Sequence, residues 1–203
     1  MYPKLSETLD LMKQQEISQE RKNTLAPLID FIQKKMDKKT EIRINFICTH
    51  NSRRSHLAQI WAQTAAAYYD IPGLSSYSGG TEETALFPKV AETLIGQGFF
   101  ITKISDSENP VYAVKYCENS HPIIGFSKKY DSSFNPLREF AAVMTCSQAD
   151  GGCPFIAGAE QRIAITFDDP KVSDGTPEQT RIYHERSLEI GAEMLYVFSQ
   201  IKK

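Results

Sequence analysis

The residues best placed to do chemistry lie in one run, Cys48-Thr49-His50-Asn51-Ser52-Arg53-Arg54-Ser55, which follows the apolar, β-prone segment from Ile42 to Ile47. The spacing from Cys48 to Arg54 is enough to wrap a loop around a tetrahedral oxyanion. The backbone N–H groups of Thr49, His50, Asn51, Ser52 and Arg53 would turn inward, and the next helix would present its N-terminus through Ser55. A thiolate at Cys48 would be stabilised by that helix end and by Arg54, whose guanidinium can grip the anion at two points and neutralise charge in the transition state. A Cys-x5-Arg pair alone arises by chance with probability about 0.16 in a chain of this composition. The strand before it and the helix-prone run from His56 to Ala67 supply the strand, loop and helix that the chemistry requires.

A second group lies between Met144 and Pro154, where Cys146 and Cys153 follow another apolar segment. In a regular helix their Cα atoms would sit about 10 Å apart, beyond the ~7 Å reach of a disulfide, so a bond needs the segment to unwind. Gly151 and Gly152 give the backbone that freedom, which suits a switchable redox pair better than a static staple. Two unrelated buried cysteines are the plainer alternative. A zinc site from Cys117, His121, Cys146 and Cys153 is a third, weakened by the lack of a Cys-x2-Cys pair. The third group is Phe167-Asp168-Asp169-Pro170. Asp169 would face the anion across from Cys48 and protonate a leaving oxygen as general acid. An ordinary Asp-Pro turn is the alternative; the position at a strand end, beside Cys48 and Cys146, favours the acid.

These residues need elements to hold them. β-prone runs at Ile42 to Ile47, Leu74 to Ser78, Glu139 to Thr145 and Arg162 to Phe167 alternate with helical patterns at Ser55 to Tyr69, Pro88 to Gln97 and Thr176 to Ile201. That alternation predicts a parallel sheet with helices on both sides, with Cys48 at a strand's carboxyl end, where such sheets bind ligands. Thr176-Pro177-Glu178-Gln179 reads as a cap, a first-position proline and a capping-box glutamine, and Tyr183, Ser187, Ile190, Met194, Val197 and Ile201 share one face of the helix that follows. Residues 1–40 read as a helical extension whose Leu25, Leu28, Ile29, Ile32 and Met36 form an apolar stripe, expected to pack on the main body rather than on a second copy. Residues 105–136 carry no assignable pattern.

Bulk composition narrows the function classes. A chain of 203 residues, 41% of them hydrophobic, buries one sizeable core. A formal net charge of −2 leaves no basic excess for nucleic acid or an anionic membrane surface. No apolar run approaches a membrane span and no signal or transit pattern is present, so a cytoplasmic location is expected. The four irregularly spaced cysteines fit a reducing compartment.

Together these groups resemble the thioredoxin-coupled arsenate reductases of the low-molecular-weight protein tyrosine phosphatase superfamily. The resemblance rests on Cys48 to Ser55, Ser78-Gly79-Gly80-Thr81, the spacing of Cys146 and Cys153, and Phe167 to Pro170, and it runs from about Ile42 to Lys203. The loop and the Asp-Pro pair carry the superfamily; the cysteine pair separates reductase from phosphatase. The resemblance implies a catalytic domain over residues 41–203 on a flavodoxin-like open sheet of four parallel strands, no cofactor or metal, and arsenate or phosphate as the anion. It also implies that Cys48 attacks arsenate while Asp169 protonates the departing oxygen, that Cys146 then attacks Cys48 to release arsenite, that Cys153 attacks Cys146, and that thioredoxin reduces the final bond.

The chain departs from the family at several places. His50 stands where glycine is usual, in a loop that can demand a positive φ. Arg53 adds a charge beside Arg54, and the segments Gly125 to Lys128 and Phe134 to Pro136 are either a lid or structural. A phosphatase working through a Cys48 phosphocysteine is the alternative function. Lys171, Val172 and Ser173 stand where the phosphatases usually place aromatic residues after Asp-Pro, which disfavours a phosphotyrosine substrate. An oxyanion or redox sensor is a third reading, opposed by the complete set of nucleophile, arginine and acid.

Overall fold

In chain order the elements are α1 (Pro3–Lys13), α2 (Gln19–Asp37), β1 (Ile42–Cys48), α3 (Arg54–Tyr68), β2 (Leu74–Gly80), α4 (Pro88–Gly96), β3 (Phe100–Lys103), β4 (Tyr112–Lys115), β5 (Ile123–Gly125), β6 (Phe140–Met144), α5 (Ser147–Gly152), β7 (Ala159–Ala164) and α6 (Gln179–Ser199). The computed structural model describes residues 1–152 and 155–203; Cys153, expected to complete the thiol pair, lies outside them. Among the described residues no helix is long and apolar enough to cross a membrane.

The main sheet has four parallel strands in the order β2-β1-β6-β7. All seven residues of β1 but Arg43 are buried, as a strand covered on both faces requires. Ile44 and Phe46 point into the larger core, with Leu57, Trp61, Ile163, Ile190 and Met194. Ile47, Phe140, Ala142 and Met144 point the other way, into a smaller cluster with Cys48, Cys146, Ala149 and Ile156. Helices α2, α3 and α6 cover the first face. The second is closed by α5 and by the 126–139 segment, whose Tyr130 carbonyl accepts from Asn45 Nδ2 at 3.1 Å and whose Asn135 Nδ2 donates to the Ser78 carbonyl at 3.0 Å.

The extension is two helices, and both contribute to the larger core. Leu5, Leu9, Leu25, Leu28 and Ile32 are fully buried in it, and Phe31 nearly so. α1 packs closely on α6 because Gly191 leaves room for Met12; a Cβ at Gly191 would overlap the Met12 Cε. α2 is tied down by Arg21, which donates to both carboxylate oxygens of buried Glu193, at 2.5 and 2.9 Å, and stacks 4.8 Å from the Phe167 ring centroid.

Three expectations need correction. The unassigned segment holds β4 and β5, which with β3 form a separate antiparallel sheet; strands of three and four residues are too short to show a period. The last strand of the main sheet starts and ends three residues early, since β7 leaves the ladder at Ala164 and continues as an extended lead to Asp169, held by the Ile165 and Phe167 amides. The final helix starts at Gln179 without a side-chain cap. Thr176 Oγ1 donates instead to the Ser173 carbonyl, and Gln179 Nε2 donates to Asp174, because the preceding chain is committed to a turn.

Burial pushes the Glu193 carboxyl up, and the Arg21 guanidinium opposes that. Arg21→Met would leave this carboxyl buried and unpaired. Urea denaturation is expected to show a loss of about 2–3 kcal/mol, less than a fully buried pair because Arg21 is partly open to water. A loss below about 0.5 kcal/mol, the size of an ordinary surface change, would show that the extension is only loosely docked.

Candidate active site

The loop after β1 is shaped by where its carbonyls go. The Cys48 carbonyl accepts from the Thr81 amide at 3.1 Å, that of Thr49 from the Glu82 amide at 2.8 Å, and that of Ser52 from the Phe87 amide at 3.0 Å. The His50 carbonyl takes both Thr84 Oγ1, at 2.9 Å, and Ser127 Oγ, at 3.0 Å. With the carbonyls drawn outward, the N–H groups of residues 50–54 meet no protein acceptor among the described residues. Amides left without partners in a loop that opens a helix make an anion site.

The left-handed residue of the loop is Asn51, with φ of 44°, rather than His50, so the Cβ of His50 carries no backbone penalty. Asn51 is fully buried; its Oδ1 accepts from the Lys128 amide at 2.9 Å and its Nδ2 donates to Ser55 Oγ at 2.8 Å. Ser55 Oγ lies 3.1 Å from Cys48 Sγ. Because that hydroxyl already accepts from Asn51, its own proton is free to point at the sulfur and support a thiolate. Gly80 sits under the loop with no room to spare: a Cβ there would lie 2.7 Å from the Asn51 amide nitrogen.

Cys48, His50, Ser52, Arg53, Arg54 and Asp169 line one small cleft. Arg54 is buried, with Nη1 donating to the Phe167 carbonyl at 3.0 Å and Nη2 to Asp169 Oδ2 at 2.6 Å. Asp169 Oδ1 accepts from the Lys171 amide at 3.1 Å, which starts a 3-10 turn over Pro170–Ser173. Asp168 points away: its side chain is 95% exposed and lies 3.4 Å from Arg186. His50 Nε2 lies 3.4 Å from Glu82 at the mouth of the cleft.

Cys146 is fully buried at the end of β6, the strand beside β1. Its Sγ lies 3.4 Å from Thr49 Oγ1 and accepts from the Ala149 amide at 3.3 Å. Thr49 therefore faces the second thiol rather than the anion, and its hydroxyl also lies 3.4 Å from Gln148 Oε1. The Arg53 guanidinium turns away as well, to Asp174 Oδ2 at 2.6 Å and Tyr183 Oη at 2.5 Å. Cys117 is partly buried in the segment after β4, and among the described residues no group of His, Cys, Asp or Glu is gathered to hold a metal ion.

Several residues of this site escaped the sequence reading. Asp174 and Tyr183 carry no motif, since only the fold brings them to Arg53. Despite its burial, the Asp174 carboxyl is held below the usual range by the Tyr183 hydroxyl and the charge of Arg53. Of the segments with two open readings, Gly125 to Lys128 holds the loop through Ser127 and Lys128, while Asn135 of Phe134 to Pro136 bonds the Ser78 carbonyl of β2. The Lys128 ammonium is itself buried, donating to the Phe126 carbonyl at 3.2 Å and lying 4.4 Å from the Phe126 ring centroid, and burial pushes its pKa down to about 7.

No family model matches the chain. Among curated proteins, arsenate reductase 2 of Staphylococcus epidermidis is 31% identical over 136 residues, 66% of this chain and 81% of that protein. An arsenate reductase of Staphylococcus aureus is 29% identical over the same shares. Among solved structures, a low-molecular-weight phosphotyrosine phosphatase from Vibrio cholerae superposes with a TM-score of 0.51 at 14% identity, over 78% of this chain and 94% of that one. An arsenate reductase in its phosphate-binding state gives 0.50 at 14% identity, over 79% and 99%. At such identities the superpositions establish the fold.

Beneath the loop, His56 is fully buried, with Nδ1 3.2 Å from Ser78 Oγ. Burial, and then the nearby Lys128 charge, push its pKa down to about 3. The folded chain thus keeps this imidazole neutral while the unfolded chain protonates it below about pH 6.5. The stability it protects is present above that pH and is lost as pH falls toward 3. Urea midpoints should show a loss of about 2 kcal/mol between pH 7 and 5 that His56→Gln abolishes. An unchanged pH dependence in the variant would contradict a neutral His56.

Proposed function

The chain belongs to the arsenate reductase family of the low-molecular-weight phosphatase superfamily, and from that premise we propose that it reduces arsenate to arsenite through Cys48, Cys146 and Cys153. The observation that carries the reading is the second thiol: Cys146 Sγ is 3.4 Å from the hydroxyl of Thr49, the residue next to the nucleophile. A phosphatase has no use for a thiol there.

In this mechanism arsenate binds on the free amides of the loop and on Arg54. The Cys48 thiolate attacks arsenic, and the As–O bond to the departing oxygen breaks as Asp169 supplies its proton, so water leaves. The Cys146 thiolate then attacks Cys48 Sγ. A sulfur–sulfur bond forms, the S–As bond breaks, and its electron pair stays on arsenic, which departs as arsenite. Cys153 attacks Cys146, forming the Cys146–Cys153 disulfide and freeing Cys48. A dithiol of the thioredoxin class restores the pair. For that last exchange Cys153 must reach Cys146; α5, the six-residue helix between them, ends in Gly151 and Gly152 and gives up little helical stability on opening.

Phosphoester hydrolysis is the second reading, favoured by the cleft itself, since Cys48, Arg54 and Asp169 would suffice for a phosphocysteine and its hydrolysis by water. The residue two places after Pro170 is Val172, 85% exposed, which offers no aromatic wall to a phenyl ring.

Mass spectrometry separates the two. After one round with arsenate, Cys153→Ser protein should contain Cys48 linked to Cys146, and wild type without thioredoxin should accumulate Cys146 linked to Cys153. Absence of both bonds alongside efficient aryl phosphate hydrolysis would sink the reductase. Cys48→Ser should abolish either activity, while Cys146→Ser should stop arsenate turnover and spare hydrolysis.

Asp169→Asn should slow kcat by about 10²- to 10⁴-fold with anion binding largely kept, whereas Asp168→Asn should cost little. A larger effect at Asp168 in steady-state kinetics would reverse the assignment.

A further inference from the structure

Two adjacent arginines send their guanidinium groups to two aspartates at opposite ends of one turn. Arg54, the first residue of α3, meets Asp169 Oδ2 at 2.6 Å, and Arg53, its N-cap, meets Asp174 Oδ2 at 2.6 Å. Between the aspartates lies the 3-10 turn Pro170–Ser173, stiffened by Ser173 Oγ on the Pro170 carbonyl at 2.8 Å. The Arg53 end is the more heavily built. Tyr183 Oη accepts from Arg53 Nε at 2.5 Å and donates to Asp174 Oδ1 at 2.6 Å, and Gln179 Nε2 reaches the same oxygen at 3.1 Å. The guanidinium also lies 4.1 Å over the Phe87 ring, and the Phe87 amide holds the Ser52 carbonyl of the loop.

The two ion pairs cannot behave alike in turnover. An anion seated in the loop competes for the Arg54 donors that Asp169 holds, and it places a like charge beside the carboxylate. Without another hold, the turn carrying Asp169 would be pushed away when its proton is needed. Arg53 Nε and Nη2 are held by Tyr183 and Asp174, so the anion leaves those two bonds in place.

We infer that the Arg53–Asp174 pair is a latch that positions the general acid: it keeps the Pro170–Ser173 turn, and Asp169 with it, seated on the oxyanion loop after the anion has taken Arg54. The inference rests on Asp169 acting as that acid. In that role Asp169 carries a proton taken from solvent. It returns that proton to the leaving oxygen as the bond to arsenic or phosphorus breaks and the bond to Cys48 Sγ forms.

Asp174→Asn removes the charge and keeps an acceptor for Tyr183. With arsenate, or with phenyl phosphate, whose phenolate leaves as a strong base, kcat should fall about 10- to 100-fold while KM stays within about twofold. With 2,4-dinitrophenyl phosphate, whose leaving group needs no proton, kcat should stay within about twofold of wild type. On whichever substrate is turned over, adding Asp174→Asn to Asp169→Asn should cost nothing further, because both act through one proton transfer. Arg53→Lys, which keeps one ion pair, should retain more activity than Arg53→Met. Equal losses with both leaving groups, a rise in KM at constant kcat, or full additivity with Asp169→Asn would overturn the latch. If Asp169→Asn alone leaves kcat unchanged, the acid assignment has failed first and the latch falls with it.

Discussion

A loop can aim a set of amide groups at one point only if its carbonyls find donors elsewhere. In this protein the donors come from the chain that follows β2, the amides of Thr81, Glu82 and Phe87 and the hydroxyl of Thr84, with Ser127 from the chain after β5. The fold is built around that requirement. β2 pairs with β1 out to Gly80 opposite Cys48, which places the donors alongside the loop, and only a residue without a Cβ can stand there against the Asn51 and Thr49 backbone. Asn51 completes the frame by taking the left-handed turn and hydrogen-bonding on both sides, to the Lys128 amide and to Ser55.

With its carbonyls fixed, the loop carries two positive side chains whose fates differ. Arg54 enters the floor of the cleft and pairs with Asp169; Arg53 leaves it and pairs with Asp174. Each of the two arginines is thus matched by a carboxylate, and an incoming anion must compete with Asp169 for Arg54. Such a site disfavours weak anions. The groups beneath the loop avoid that competition. His56 is kept neutral by burial, and the Lys128 ammonium lies against the Phe126 and Phe134 rings.

The added parts of the chain act on the same centre from a distance. Arg21 of α2 stacks on Phe167, the residue whose carbonyl fixes Arg54, and pairs with Glu193 of α6. The extension therefore braces the strand end that delivers Asp169. The antiparallel sheet reaches α3 through Gln59 Nε2, which donates to the Ile124 carbonyl at 3.3 Å, and its last strand leads into Ser127 and Lys128 under the loop.

Sequence alone was enough for the loop from Cys48 to Arg54, the parallel strands flanking it, the Asp169–Pro170 turn and the face of α6, because each depends on neighbours within a few residues. A strand signals itself by its apolar run, a turn by its proline, and a cradle by its Cys-to-Arg spacing. What the tertiary structure decided is everything that depends on which distant group arrives opposite. Nothing local tells Arg53 to turn toward Tyr183, 130 residues away, while Arg54 turns toward Asp169. Nothing local sets Cys146 beside Thr49, which follows from β6 pairing with β1. The left-handed position fell at Asn51 rather than at His50, where the family usually has glycine, because an amide side chain there bonds both Lys128 and Ser55, partners brought together by folding. Local propensity chose the elements; long-range hydrogen bonds, strong only where water is excluded, chose the direction of each side chain.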